Sequence, residues 1–266
     1  MENSIRLQFS KFLPCEFECL CRLLSSVFHT SPGELAGLYQ QLDSTFDEDG
    51  WPSHHVARSF FKSQDHQFQE IYEQSPSIAV DLPALLETDD GRQNKPTVVV
   101  LGQDSKGNQS HQNISIGTPY GLHHKGSREQ LKRTKLYFEM VQALMSLGYR
   151  VYLTDVYKVW VCNPERLYRG IRLPKADRDG FLAILKSELS VMEPVAVVSW
   201  GNPSAAVVGK LDVAYPHLRF PHPSGAANGA WKKLMGESPN YANKLAYWKS
   251  SVNQALAHNV SNKAKP

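Results

Sequence analysis

Thr97-Val98-Val99-Val100-Leu101-Gly102-Gln103-Asp104 is the stretch on which the fold reading turns. Its first five residues form an unbroken apolar and β-branched run without polar alternation. That pattern suits a strand buried on both faces, as in a parallel sheet covered by helices. The run then ends abruptly in Gly102-Gln103-Asp104, which places a carboxylate at the strand's carboxyl tip.

Working outward, the same rhythm of strand, loop and helix recurs. Ser127–Leu147 carries a helical pattern that stops at Gly148, and Val151–Val156 reads as a second strand. Asp177–Val191 reads as a helix ended by Glu193-Pro194. Val195–Trp200 is a third strand, followed by Gly201-Asn202-Pro203 and a short helix near Ser204–Leu211. Leu218–Pro221 is a fourth strand, and Tyr241–His258 a closing helix. Alternating strands and helices predict a parallel sheet with helices on both sides. Right-handed crossovers then bring every strand's carboxyl end to one edge, where such sheets bind ligands. Asp104, Asp155, Gly201 and His222 all fall just past a strand end.

Upstream of the polar break Asp89-Asp90-Gly91-Arg92-Gln93-Asn94-Lys95-Pro96, the pattern is helical instead. Cys15–Val27 and Pro32–Leu42 place apolar residues at three- and four-residue spacing, and Ser31-Pro32-Gly33-Glu34 reads as a helix start. His55–Tyr72 suggests another helix. The expected organisation is therefore a helical region at 1–93, an α/β core at 94–258 and a flexible polar tail at 259–266.

The composition, 41% hydrophobic and 21% charged over 266 residues, is that of an ordinary globular protein. No apolar run is long enough to span a bilayer. The first residues lack the basic start and apolar middle of a signal peptide, so a cytoplasmic, non-membrane protein is expected, as a monomer. The formal net charge of +3 permits nucleic-acid binding without requiring it. Its distribution says more: Lys125, Arg128, Lys132, Arg133 and Lys135 crowd one predicted helix start, and Lys232 and Lys233 follow His222-Pro223-Ser224-Gly225. Each cluster reads either as a solvated helix face or as a phosphate contact. The four cysteines include Cys15, Cys19 and Cys21, whose spacing is not that of an iron–sulfur cluster. Cys15 and Cys19 are expected on an apolar helix face with Leu20 and Leu23. No metal or cofactor is expected.

Gly102-Gln103-Asp104 behind a buried strand, paired with the late His222-Pro223-Ser224 turn, resembles the uracil-DNA glycosylase superfamily. The likeness is strongest at these two motifs and weaker between them. It implies a four-stranded parallel sheet sandwiched by helices, here with a helical N-terminal extension. The partner would be DNA, from which a flipped-out base is cut. By the same resemblance, Asp104 would stabilise the positive sugar and position the attacking water. Gln103 would offer its backbone N–H to the base O2, and His222 would donate to the same oxygen. Tyr120 would stack on the base. Pro223, Ser224 and Gly225 would grip a phosphate, with Asn228 and Lys232 nearby. On the residues alone, the alternatives are that Asp104 caps a loop, His222 is a structural histidine and Tyr120 is a packed loop tyrosine.

The chain departs from that family in three places. Lys106 stands where uracil-specific members have a tyrosine that excludes a 5-methyl group, and Gly107 follows it. Asp155 replaces the asparagine that reads uracil; an ionised aspartate only accepts hydrogen bonds and suits the amino group of cytosine. Alanine replaces the leucine that wedges into the duplex, leaving Asn228 or Trp231 as substitutes, or a DNA that is already weakly stacked. The first two departures predict excision of a 5-substituted cytosine, such as the hydroxymethylated or glucosylated bases of phage DNA, as a bacterial defence. The rivals are ordinary uracil excision and a non-catalytic DNA-binding module. A generic nucleotide-binding protein lacks the glycine-rich loop it would need after Leu101.

Overall fold

The computed structural model describes residues 6–106, 112–211 and 214–263. The chain opens with β1 (Arg6–Phe9), helices α1 (Pro14–Ser25) and α2 (Pro32–Ser44), β2 (His54–Val56), α3 (His66–Gln74), β3 (Ile78–Asp81) and β4 (Ala84–Asp89). Next come β5 (Thr97–Asp104), β6 (Ile114–Gly117), α4 (Lys125–Glu129), α5 (Lys132–Ser146) and β7 (Arg150–Tyr157). A hairpin of β8 (Val159–Asn163) and β9 (Arg166–Gly170) leads to α6 (Lys175–Met192), β10 (Ala196–Trp200) and α7 (Asn202–Val208). The chain closes with β11 (His217–Phe220), α8 (Asn228–Met235) and α9 (Tyr241–Lys263).

Strand β5 lies inside a six-stranded sheet of order β1-β4-β7-β5-β10-β11. Its neighbours β7 and β10 run parallel to it, and β11 runs parallel to β10. Beyond β7 the sheet is completed by β4 and β1, both antiparallel to their neighbours. The sheet is thus wider and more mixed than the four parallel strands expected. Val98 to Leu101 are fully buried, each contributing about 1.5–3 kcal/mol by leaving water. Helix α6 shows how the flanking helices attach: Phe181, Ile184, Leu185, Leu189 and Met192 are buried at three- and four-residue spacing.

The stretch 1–93 is not helical throughout. It contributes β1 and β4 to the central sheet, and β2 and β3 to a second sheet of order β2-β6-β3-β8-β9. Of His55–Tyr72, only His66 onward is α-helical. These strands run to six residues at most, too short for periodicity to separate them from a helical turn. Buried side chains on both sides of the loop at 90–96 belong to one contiguous core. The helix expected over Ser127–Leu147 is interrupted at Gln130-Leu131, dividing it into α4 and α5. The closing helix continues to Lys263, into the stretch read as a flexible tail; residues 264–266 lie outside the described ones. Helix α1 buries Leu20, Cys21 and Leu24, while Cys15 and Cys19 are exposed. The apolar stripe is thus rotated from the face expected, because Glu16 turns inward to pair with Arg150.

The two sheets meet where strands hand over to one another. Leu82-Pro83 carries the chain from β3 to β4, and Lys158 carries it from β7 to β8. This junction lies at the carboxyl end of β7, beside the tip of β5.

Candidate active site at the carboxyl edge of the central sheet

Gly102 explains why the β5 tip has the sequence it has. A Cβ at this position would lie 2.0 Å from Asp155 Oδ1 and 2.6 Å from the Tyr120 hydroxyl. Only glycine lets those two side chains close over the strand. The register pairs Gly102 with Asp155 and Asp104 with Tyr157. Side chains alternate along a strand, so Asp104 projects to the same face as Asp155. Tyr120 stands on that face too, its ring centroid 4.9 Å from Trp200, 5.2 Å from Tyr137 and 6.0 Å from His222. Asp104, Asp155, Tyr120 and His222 therefore come to one side of one sheet edge, with Tyr120 between the acids and the imidazole.

Tyr120 has φ +64° in the short turn Pro119–Gly121, a left-handed conformation that costs a non-glycine residue about 1–2 kcal/mol. Its hydroxyl is buried and has no hydrogen-bond partner among the described residues. Burial, reinforced by the negative charge of Asp155, pushes its ionisation far above the usual range, so the phenol keeps its proton.

His222 is fixed in one neutral form. The backbone N–H of Ser224 donates to Nδ1 at 3.2 Å, and the Ser224 hydroxyl lies 2.9 Å from the same nitrogen. An Nδ1 that accepts leaves the proton on Nε2. Burial, with Lys244 and Arg133 nearby, lowers the imidazole to about 4, so it is an uncharged donor at neutral pH. The turn that carries it is bound to the helices behind. Trp231 Nε1 donates to the His222 carbonyl at 2.9 Å, and Lys244 Nζ donates to the Pro223 carbonyl at 3.1 Å and to Asn228 Oδ1 at 2.7 Å. Trp231 is fully buried, so neither it nor the tethered Asn228 is free to act as a wedge.

The acids form a group that sequence reasoning found only in part. Asp81, at the end of β3, shares a side-chain hydrogen bond with Asp155. Burial pushes Asp81 up to about 7 and holds Asp155 well above the ordinary carboxylate range, where the charge of Asp81 adds to the effect. Two adjacent carboxylates cannot both ionise readily, so the pair retains a proton at neutral pH. Lys158 anchors both. Its Nζ donates to the Asp155 carbonyl at 2.7 Å and pairs with Glu188 at 3.1 Å, and its carbonyl accepts from the Asp81 N–H at 3.0 Å. Asp104 is reached by solvent, yet partial desolvation pushes it up to about 6, against the opposing effects of the Gln103 side chain and Lys106. Asp81 escaped notice because it ends a four-residue strand in a stretch read as helical.

The remaining expected residues divide. Gln103 is exposed, with Nε2 donating to Asp104 Oδ2 at 3.3 Å. Lys106 is exposed beside Asp104, and Gly107 lies outside the described residues. Ser105, between them, donates to the Ala79 carbonyl at 3.0 Å and ties the β5 tip to β3. Pro223 is buried, Ser224 half-buried, and Gly225, Asn228 and Lys232 at least partly exposed. The basic cluster at the α4–α5 start is reduced: Arg128 is buried over the Phe46 ring and donates to the Leu122 and Phe46 carbonyls, and Lys125 pairs with Asp49. Lys132, Arg133 and Lys135 remain exposed. A groove of about 560 Å³ reaches Gln103 and Asp104, but His222 and Tyr120 do not line it. Among the described residues, no His, Cys, Asp or Glu group suited to a metal ion occurs. No helix among them is long and apolar enough to cross a membrane.

A comparison with protein-family models finds none that matches the chain, and a search of curated proteins finds no match either.

Proposed function

We propose that the chain is a DNA glycosylase that hydrolyses the N-glycosidic bond of a flipped-out base, with 5-substituted cytosine in phage DNA as its substrate. The reading is supported chiefly by Asp104 and a neutral His222 standing on one face of one sheet edge with Tyr120 between them. Cleavage of a C1′–N bond builds positive charge on the sugar and negative charge on the base. Fixed groups of opposite character placed at the two ends lower that barrier without reorganisation. Ionised Asp104 serves the sugar and positions water, and the Nε2–H of His222 serves the base O2. Tyr120 offers its ring as the stacking surface. Its packing against Gly102 and Asp155 means that the ring shifts as the base enters.

The Asp81–Asp155 pair supports the choice of base. Once the hydrogen bond within the pair opens toward an entering base, a carboxyl pair that retains one proton presents a donor and an acceptor side by side. Donation to cytosine N3 and acceptance from the N4 amino group use both. Lys106 in place of a bulky wall leaves the 5-position open. A neutral carboxyl can also be read in the opposite sense, donating to O4 and accepting from N3–H, which favours uracil excision as the second reading. Incubation with duplexes containing uracil, 5-hydroxymethylcytosine and glucosylated 5-hydroxymethylcytosine, followed by alkaline cleavage of abasic sites, separates the two. Cleavage confined to uracil DNA ends the cytosine reading. Binding without cleavage of any duplex leaves a non-catalytic DNA-binding module instead.

A further inference from the structure

The groove that reaches Asp104 is also lined by Arg169 of β9, Arg172 in the following loop and Arg178 of α6. None of the three has an ion-pair partner among the described residues, and Asp104 is the only acid among those that line the groove. Arg169 and Arg172 are exposed, while Arg178 is half-buried, with its Nε fully enclosed and lacking a hydrogen-bond partner among the described residues. Three cations around one recess outnumber its single carboxylate and repel one another, so the arrangement is relieved by an anion. The walls between them are apolar, including Ile171, Tyr157 and Val207. A chain of alternating anions and flat apolar groups fits that lining better than a compact anion does.

We infer that this groove is the track for the phosphodiester backbone of the DNA strand next to the extruded nucleotide. The inference rests on the glycosylase reading for what lies at the Asp104 end, and adds the direction in which the strand leaves. The backbone passes Gln103 and crosses the sheet edge, and its phosphates engage the three guanidiniums, which match phosphate geometry by paired N–H donors. Asp104 repels phosphate at its own end of the groove. The phosphates are thereby held to the arginine end, leaving the sugar opposite the carboxylate.

The test is fluorescence anisotropy with a labelled single-stranded and a labelled duplex oligonucleotide over a range of salt. Wild type is compared with Arg169→Gln/Arg172→Gln, both at exposed positions, and with Arg178→Lys, which retains charge and so protects the fold. Removing one phosphate-neutralising cation makes the log Kd–log salt slope shallower by about 0.7 on a single strand and about 0.9 on a duplex. The double variant is therefore expected to show a slope shallower by about 1.4 to 1.8, with affinity weakened roughly tenfold at moderate salt. Replacing the linkages on one side of the target base by uncharged methylphosphonates should weaken wild type clearly more than the double variant, which retains Arg178. Wild-type affinity and slope in the double variant overturn the groove assignment, and leave the glycosylase reading intact if the base panel is still cut. An arginine-dependent slope in a protein that cuts none of the panel sustains the groove and removes the glycosylase reading.

Discussion

On the glycosylase reading proposed above, Asp104 is the residue whose charge state the chemistry uses. A carboxylate lifted to about 6 by desolvation is incompletely ionised below that pH, whereas His222, lowered to about 4, is already neutral there. The acid limb of kcat/KM is therefore expected near pH 6, rising with pH as Asp104 loses its proton; a limb near 4 would assign it to His222 instead. Asp104→Asn should lower single-turnover excision by roughly 10²–10⁴-fold while DNA affinity is retained. Asp155→Asn has a double signature. On the glycosylase reading it introduces an amide suited to uracil, so uracil excision should rise relative to modified cytosine in a competition assay. It also removes one member of a crowded carboxyl pair. A group whose folded pKa is raised above its ordinary 3.8 binds protons more tightly when folded. Its contribution is therefore favourable at low pH and declines as pH rises through the folded value. Asp155→Asn should thus stabilise the fold at pH 8, with a smaller gain at pH 5. Equal gains at both pH values in urea titrations would contradict the proton-sharing pair.

At the scale of elements, the support for the His222 turn is as informative as the turn itself. Lys244, on α9, holds the Pro223 carbonyl and the Asn228 side chain. Lys244→Met should keep the helix, since methionine is a good helix former that packs like the lysine stem, yet loosen the turn. Excision should fall by about tenfold, the equivalent of ~1.4 kcal/mol, and the His222 imidazole should titrate higher once the neighbouring cation is gone. An NMR titration of His222 reads this directly. The strands β5, β7 and β10 are legible because their runs are largely apolar and their ends are marked by turn residues, and β11 because it leads directly into the His222-Pro223 turn. β1, β2, β3, β4 and the β8–β9 hairpin are not. They are short, and their identity depends on pairing partners distant in sequence rather than on their own pattern. At the site, Asp104, Asp155, Tyr120 and His222 were read from strand tips and motifs. Asp81 and the arginine groove both belong to elements of the second sheet or its borders, where no local signal existed.

For the molecule as a whole, the link between the two sheets is tied to α6 by a buried ion pair. Lys158 and Glu188 are both fully buried, 3.1 Å apart, with Thr154 Oγ1 3.0 Å from each. Removing one partner leaves an uncompensated charge in the interior, so Glu188→Ala should cost about 3–5 kcal/mol in urea unfolding, whereas Glu188→Gln should cost less because it can still accept from Lys158.

Asp81 belongs to the second sheet and Asp155 to the first, so the proton between them is also a seam. A chain begun at residue 94 would lack Asp81 altogether, and its remaining acid would behave as a solitary carboxyl. For protein engineers this rules out transplanting the apparent α/β half alone: the carboxyl pair is assembled across the join, and travels only with both sides.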